Sequence, residues 1–276
     1  MVGAIIGDIV GSPYEGSRLN WVDDRNFPLF AKQWSRFTDD TVLTCATADA
    51  LLHPVNRECR FDIRYKEWAL KYPGRGYGSG FQEWVNCSDI TVNNSYANGA
   101  MMRCSPIALF YPNIRMVELM ANDSIKMTHC SPESRRGVLS ITSAIHMALN
   151  GNTKLQIQAY VEEQYGHMLD LTVEQWRQHP KPNIRCNLSA PQALTCFMES
   201  TDYESAIRNA VYTKGDTDTI AAIAGSIAEA FYGVKSIPPT MIVGMKERIT
   251  PEMVELINEF YGVIGNDLDA YKGFQI

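Results

Sequence analysis

Lys214–Gly215–Asp216–Thr217–Asp218–Thr219 stands directly before the apolar run Ile220–Ala221–Ala222–Ile223–Ala224–Gly225–Ser226–Ile227. Ile220, Ile223, Ile227 and Phe231 recur at helical spacing, so the stretch reads as a loop feeding a buried helix. Thr38–Asp39–Asp40–Thr41, followed by Val42–Leu43–Thr44–Cys45–Ala46, repeats the same grammar much earlier in the chain. Each run offers two carboxylates and a hydroxyl at the N-terminus of an expected helix. Capping accounts for one such run, because Asp and Thr oxygens accept hydrogen bonds from free N–H groups there. Two runs, each with more acid than a cap needs, point elsewhere. Four carboxylates brought together repel and require counter-charge. Two divalent cations would neutralise the four negative charges of Asp39, Asp40, Asp216 and Asp218, and oxygen-only ligands suit magnesium or manganese.

The rest of the composition fits a well-packed protein. The 276 residues are 45% hydrophobic, enough for a full core, and the net charge of −6 argues against a general nucleic-acid or membrane-surface binder. Seven cysteines are scattered without a Cys-x-x-Cys pair or zinc-type spacing, which suits reduced thiols in a cytoplasm. Val2–Gly7 is apolar but is broken by Asp8 and has no basic leader, so it does not read as a signal peptide. No apolar run approaches the length of a membrane span. A soluble cytoplasmic protein is expected.

Outward from the acidic runs, Gly7–Asp8–Ile9–Val10–Gly11–Ser12–Pro13–Tyr14–Glu15–Gly16 reads as a glycine-rich loop that lets backbone or ligand approach closely, with Glu15 after a proline turn. The helix from Thr38 is stopped by Pro54, and Phe61, Tyr65, Trp68 and Tyr72 mark one face of the next. Gly74 to Gly80 alternates glycine in a pattern that is neither a dinucleotide fingerprint nor a P-loop, and is expected to be a flexible surface loop. Asn93 to Arg103, rich in small and amide residues, is expected to open a helix and cradle an anion. Ser131 and Pro132 start a helix with the stripe Val138, Ile141, Ile145 and Leu149, leaving His129 in the loop before it. Thr153-x-x-Gln156 and Thr201-x-x-Glu204 read as capping boxes, Ala190–Pro191 and Thr250–Pro251 as helix starts. With no alternating strand, linker or repeat, the expected architecture is all-α, about ten helices in a single compact multi-helix domain over residues 1–276.

Gly7–Asp8 through Glu15, Thr38–Asp39–Asp40–Thr41, Asn98–Gly99–Ala100 with Met102–Arg103, Thr128–His129 and Gly215–Asp216–Thr217–Asp218–Thr219 occur in an order that resembles the ADP-ribosylglycohydrolase family, of the dinitrogenase reductase-activating glycohydrolase type. The resemblance spreads over most of the chain, and the two acidic motifs together are its most specific part. It implies an all-α fold with two Mg2+ or Mn2+ ions in a cleft, held by Thr38, Asp39, Asp40, Asp216, Asp218 and Thr219. It also implies Glu15 beside the cations, Ser95, Tyr96, Asn98 and Gly99 at the diphosphate, and His129 on the adenosine side. The implied reaction is hydrolysis of the N- or O-glycosidic bond between ADP-ribose and an acceptor on a protein or small molecule. Glu15 would accept or relay the proton of the attacking water.

Two departures stand out: Lys214 and Ala97 occupy positions where the family usually or often has glycine. If the position of Ala97 needs positive φ, its methyl would strain the loop. Two rival readings are a crystallin-like structural relative without activity and a two-metal phosphoesterase. The intact acidic positions argue against the first, and the absence of metal-binding histidines against the second.

Overall fold

Gly3, Gly7 and Gly11 fall on one face of the first helix, and that face decides how the molecule is assembled. The structure, a computed structural model, describes residues 1–16, 21–31, 33–87, 92–179 and 184–276. Fourteen α-helices and no strand occur among the described residues. The first seven are α1 (Val2–Gly11), α2 (Asp39–Leu52), α3 (Phe61–Lys71), α4 (Ser79–Asn86), α5 (Ser105–Phe110), α6 (Ile114–Ile125) and α7 (Pro132–Leu149). They are followed by α8 (Lys154–Tyr165), α9 (Val173–Gln178), α10 (Cys186–Met198), α11 (Tyr203–Tyr212), α12 (Thr217–Tyr232), α13 (Pro239–Lys246) and α14 (Pro251–Ile264). Their apolar faces share one contiguous core.

α1 and α12 run antiparallel with almost no side-chain layer between them. A Cβ on Gly3 would lie 2.3 Å from Gly225 O, one on Gly7 2.2 Å from Ala221 O, and one on Gly11 2.4 Å from Thr217 O. Only glycine permits that approach. Both helices are apolar nearly all round and buried, as a central pair must be. The consequence is functional: the C-terminal end of α1, carrying Asp8, meets the N-terminal end of α12, carrying Asp216 and Asp218. Thr217 Oγ1 closes the junction with a 2.9 Å bond to Gly11 O. The expected glycine-rich loop over residues 7–16 is therefore mostly helix, α1 followed by a 3-10 turn at Ser12–Tyr14.

Several expected boundaries are met. α2 ends at Leu52 ahead of Pro54, Ser131 caps α7 with Pro132 in its first turn, Thr250 caps α14, and Thr153 with Gln156 forms a capping box. Others shift. The box opening α11 is built by Asp202 with Ser205, one residue beyond Thr201 with Glu204, because the shorter pair closes the reciprocal bonds. α10 starts at Cys186 rather than at Ala190–Pro191, so Pro191 stands inside it. The 93–103 stretch is irregular, with a single 3-10 turn at Asn98–Ala100 before α5. The helix count exceeds the ten expected because short helices such as α5 and α9 carry too few residues to show a period. All seven cysteines are free thiols. Among the described residues, no helix is long and apolar enough to cross a membrane.

Candidate active site

The N-termini of α2 and α12 converge, so their dipoles favour negative charge at one place. Capping uses little of this acid: in the first turn of α12, Asp218 Oδ1 accepts from Thr219 N at 2.9 Å. Asp216 makes no side-chain cap bond, and the Thr38 hydroxyl accepts from Asp40 N only at 3.4 Å. Two groups of three carboxylates bring their oxygens within 4.8 Å of one another: Asp8, Asp40 and Asp218, and Glu15, Asp216 and Asp218. The structure thus mixes the two sequence runs, with Asp218 common to both groups. Asp39 belongs to neither group but lines the same cavity. Thr38 Oγ1 and Thr219 Oγ1 approach Asp40 Oδ2 at 3.3 and 3.2 Å from opposite runs, while Asp40 Oδ1 is buried without a hydrogen-bond partner.

Burial raises all six carboxyls above their ordinary range. Asp8 rises to about 6, against four hydrogen bonds that pull it down. Asp39 rises to about 8, and Asp40 and Asp218 rise well above the carboxylate range, with repulsion from the neighbouring acids added to burial. Glu15 and Asp216 move the same way, Glu15 partly offset by the Arg36 guanidinium. None of Asp8, Asp39, Asp40, Asp216 and Asp218 forms an ion pair among the described residues. A buried, oxygen-only, under-compensated cluster with an orphaned carboxylate oxygen fits a hard cation.

One cavity of about 590 Å3 gathers every residue expected at the site: Glu15, Thr38, Asp39, Asp40, Ser95, Tyr96, Asn98, Gly99, His129, Asp216, Asp218 and Thr219. The volume lies in the range of small-molecule pockets. The 95–99 loop is tied down on both sides. Ala97 N donates to Ser95 Oγ at 3.1 Å and Asn98 N to Ile184 O at 2.8 Å, so two of its backbone donors are used within the protein. The Asn98 side chain donates to Asp216 Oδ2 at 2.5 Å and Ser189 Oγ at 3.1 Å, fastening the loop to the acid cluster. His129 pairs with Asn94 in an isolated bridge, and its ring packs where a Cβ on Gly99 would lie 3.2 Å from Nε2. Burial first, then Arg103, holds the His129 imidazole well below its ordinary pKa, so it is neutral at pH 7. Its Nδ1 has no hydrogen-bond partner among the described residues.

The glycine stretch at 74–80 is a wall of the cavity rather than a plain surface loop. Arg75 O accepts from Asp39 N at 2.8 Å, and Gly76, at φ +102°, passes so near that a Cβ would lie 3.1 Å from Asp39 Oδ1. The departures also resolve. Ala97 is extended at φ −72°, so its methyl brings no strain. Lys214 adopts φ +70°, the conformation that glycine would take without cost, and its ammonium lies 4.8 Å from the Trp21 ring centre.

Asp8 and Arg103 stand in the motifs that carry the resemblance, but sequence reasoning gave neither a role at the site. Asp8 is fully buried and accepts four hydrogen bonds from Thr38 and Thr41. The signal was present: an acid inside a wholly apolar helix must find partners. Arg103 is fully buried on the cavity wall, stacked 4.1 Å from the Tyr65 ring centre and donating to Thr128 Oγ1 at 2.6 Å. Met102–Arg103 is part of the resemblance, but no local pattern points to this burial.

The sequence profile of the ADP-ribosylglycohydrolase family matches residues 1–269. Mouse (Mus musculus) ADP-ribosylhydrolase ARH3 is 28% identical, the alignment covering 86% of this chain and 84% of that protein. ADP-ribosylarginine hydrolase Tri1 of Pseudomonas putida is 26% identical over 88% of this chain and 72% of its own. A solved structure described as an ADP-ribosylglycohydrolase-related protein complex shares the fold with a TM-score of 0.72, at 23% identity, covering 95% of this chain and 97% of that one. The chain belongs to the ADP-ribosylglycohydrolase family, and is an enzyme that hydrolyses the glycosidic bond joining ADP-ribose to an acceptor.

Proposed function

We propose that the 590 Å3 cavity binds ADP-ribose with its anomeric carbon toward the acid cluster. Two divalent cations, Mg2+ or Mn2+, are then held by Thr38, Asp39, Asp40, Asp216, Asp218 and Thr219. The observation that carries this reading is that one cavity is lined both by the under-compensated acids and by the 95–99 loop with His129. When bound, the cations supply charge neutralisation and polarise the attacking water and the ribose hydroxyls.

The protein's own groups do the rest. Cleavage develops positive charge at the anomeric carbon, which the clustered carboxylates are arranged to accommodate. The oxygen of water bonds to that carbon as its bond to the acceptor breaks. Glu15, with an oxygen within 4.8 Å of Asp216 and Asp218 oxygens at the exposed edge of the cluster, takes the water proton. The acceptor departs with the bonding pair and gains a proton, which restores the balance once Glu15 gives up the one it took from water. Ser95, Tyr96 and Gly99 fix the diphosphate while Asn98 fastens their loop to Asp216, and neutral His129, with one donor and one acceptor nitrogen, suits the uncharged adenosine side.

The test is to incubate the protein and Mg2+ with peptides ADP-ribosylated on arginine and on serine. Release of ADP-ribose from either supports the reading and names the acceptor. Release of phosphate instead, or no release from any linkage, contradicts it.

A further inference from the structure

Thr38 Oγ1 carries a single proton and has two carboxylate oxygens within reach: Asp8 Oδ1 at 2.8 Å and Asp40 Oδ2 at 3.3 Å. A neutral hydroxyl that ligates a cation must turn a lone pair toward it and give its proton to something else. Asp8 does not line the cavity, reaching the cluster from α1 behind it. Its other oxygen, Oδ2, accepts from Thr38 N at 2.9 Å, Thr41 N at 3.1 Å and Thr41 Oγ1 at 2.5 Å. The carboxylate therefore divides its work. One oxygen fixes the first turn of α2, and the other is the nearer acceptor for the Thr38 hydroxyl.

We propose that Asp8 is a positioning residue for the cation site, accepting the hydrogen bond of the Thr38 hydroxyl so that a Thr38 lone pair faces the cleft. The inference rests on the reading of Thr38 as a cation ligand given above. It assigns the close packing of α1 on α12 a purpose, since that packing carries Asp8 to the back of the site.

Asp8→Asn isolates the effect. The asparagine oxygen can keep the three bonds made by Oδ2, while its NH2 takes the place of Oδ1 and must donate to Thr38 Oγ1, reversing that one bond. Mn2+ binding is measured by the loss of the free-ion electron paramagnetic resonance signal, alongside the melting temperature of the chelated protein. Asp8→Asn is expected to weaken Mn2+ binding by about 10- to 100-fold, the usual effect of losing an outer-shell partner, with little change in the chelated protein's melt. In a Thr38→Val background the same substitution should weaken binding at least about fivefold less, and in Thr38→Ser, which keeps the hydroxyl, its full effect should return. Equal losses with and without the Thr38 hydroxyl would show that Asp8 acts through its charge or as a ligand, and would overturn the proposal. So would a lowered melt with unchanged Mn2+ affinity, which is a purely structural role. Wild-type protein that binds no Mn2+ would remove the cation reading itself, and this inference with it.

Discussion

Glu15 stands at the exposed edge of the acid cluster, and its role there is separable from cation binding. Glu15→Gln keeps size and removes the basic oxygen, so turnover should fall by roughly 10²–10⁴ while Mn2+ content and ADP-ribose affinity, read by calorimetry, stay near wild type. Asp218→Asn should behave otherwise. Asp218 belongs to both carboxylate groups, so cation binding, ADP-ribose binding and turnover should fall together. A Glu15→Gln enzyme as fast as its parent would move the base to another carboxylate. At this scale the gathering of the named residues in one place was legible. The acids of the two runs exceed what capping needs, and the cavity collects them with His129 and the 95–99 loop. The pairing of those acids was not legible, because which carboxylates face one another depends on how α2 meets α12, and sequence order says nothing of that. Asn98 shows the same limit: its amide type suggested a ligand contact, and the fold puts it on Asp216.

At the scale of helices, the α1–α12 contact carries most consequence. Gly7→Ala places a methyl 2.2 Å from Ala221 O and 2.6 Å from Ala222 N, backbone atoms that cannot step aside. The two helices must separate, at about 1–3 kcal/mol or more by the usual cost of overpacking. The urea midpoint should fall at constant slope, and Mn2+ affinity should fall with it because Asp8 moves with α1. Lys154 provides the contrast. Its ammonium donates to Phe197 O at 2.9 Å, Met198 O at 3.1 Å and Ser200 O at 2.5 Å, capping the end of α10 beneath the rings of Phe231 and Tyr232. Lys154→Met leaves those carbonyls unpaired and should cost about 1–3 kcal/mol, with Mn2+ affinity of the folded protein unchanged. The long helix α7 was legible from its stripe and cap, and the start of α14 from Thr250–Pro251. The glycines of α1 misled: read one by one they suggest a loop, and only their spacing of four marks a face pressed against another backbone.

Across the whole molecule, stability, pH and cations are linked through the cluster. A carboxyl whose pKa is raised on folding binds more protons folded than unfolded, so its contribution is complete below the unfolded value near 4 and is lost as pH climbs through the folded value. With Asp8 raised to about 6 and Asp39 to about 8, cation-free protein should lose stability steadily between roughly pH 4 and 8. Saturating Mn2+ should restore it most at the alkaline end, by about 2.7 kcal/mol at a hundredfold excess over the dissociation constant. Thermal melts at several pH values with EDTA or Mn2+ would show this, and parallel curves would argue that the acids are not the cation's ligands. The central claim is that this cluster holds the cations with which the enzyme releases ADP-ribose. Its most direct test is to strip the protein with chelator, verify by elemental analysis that it is metal-free, and follow ADP-ribose release from an ADP-ribosylated peptide as Mn2+ is added back. The expected result is no release at zero cation and a saturable rise with Mn2+. Undiminished release by the metal-free protein would contradict it.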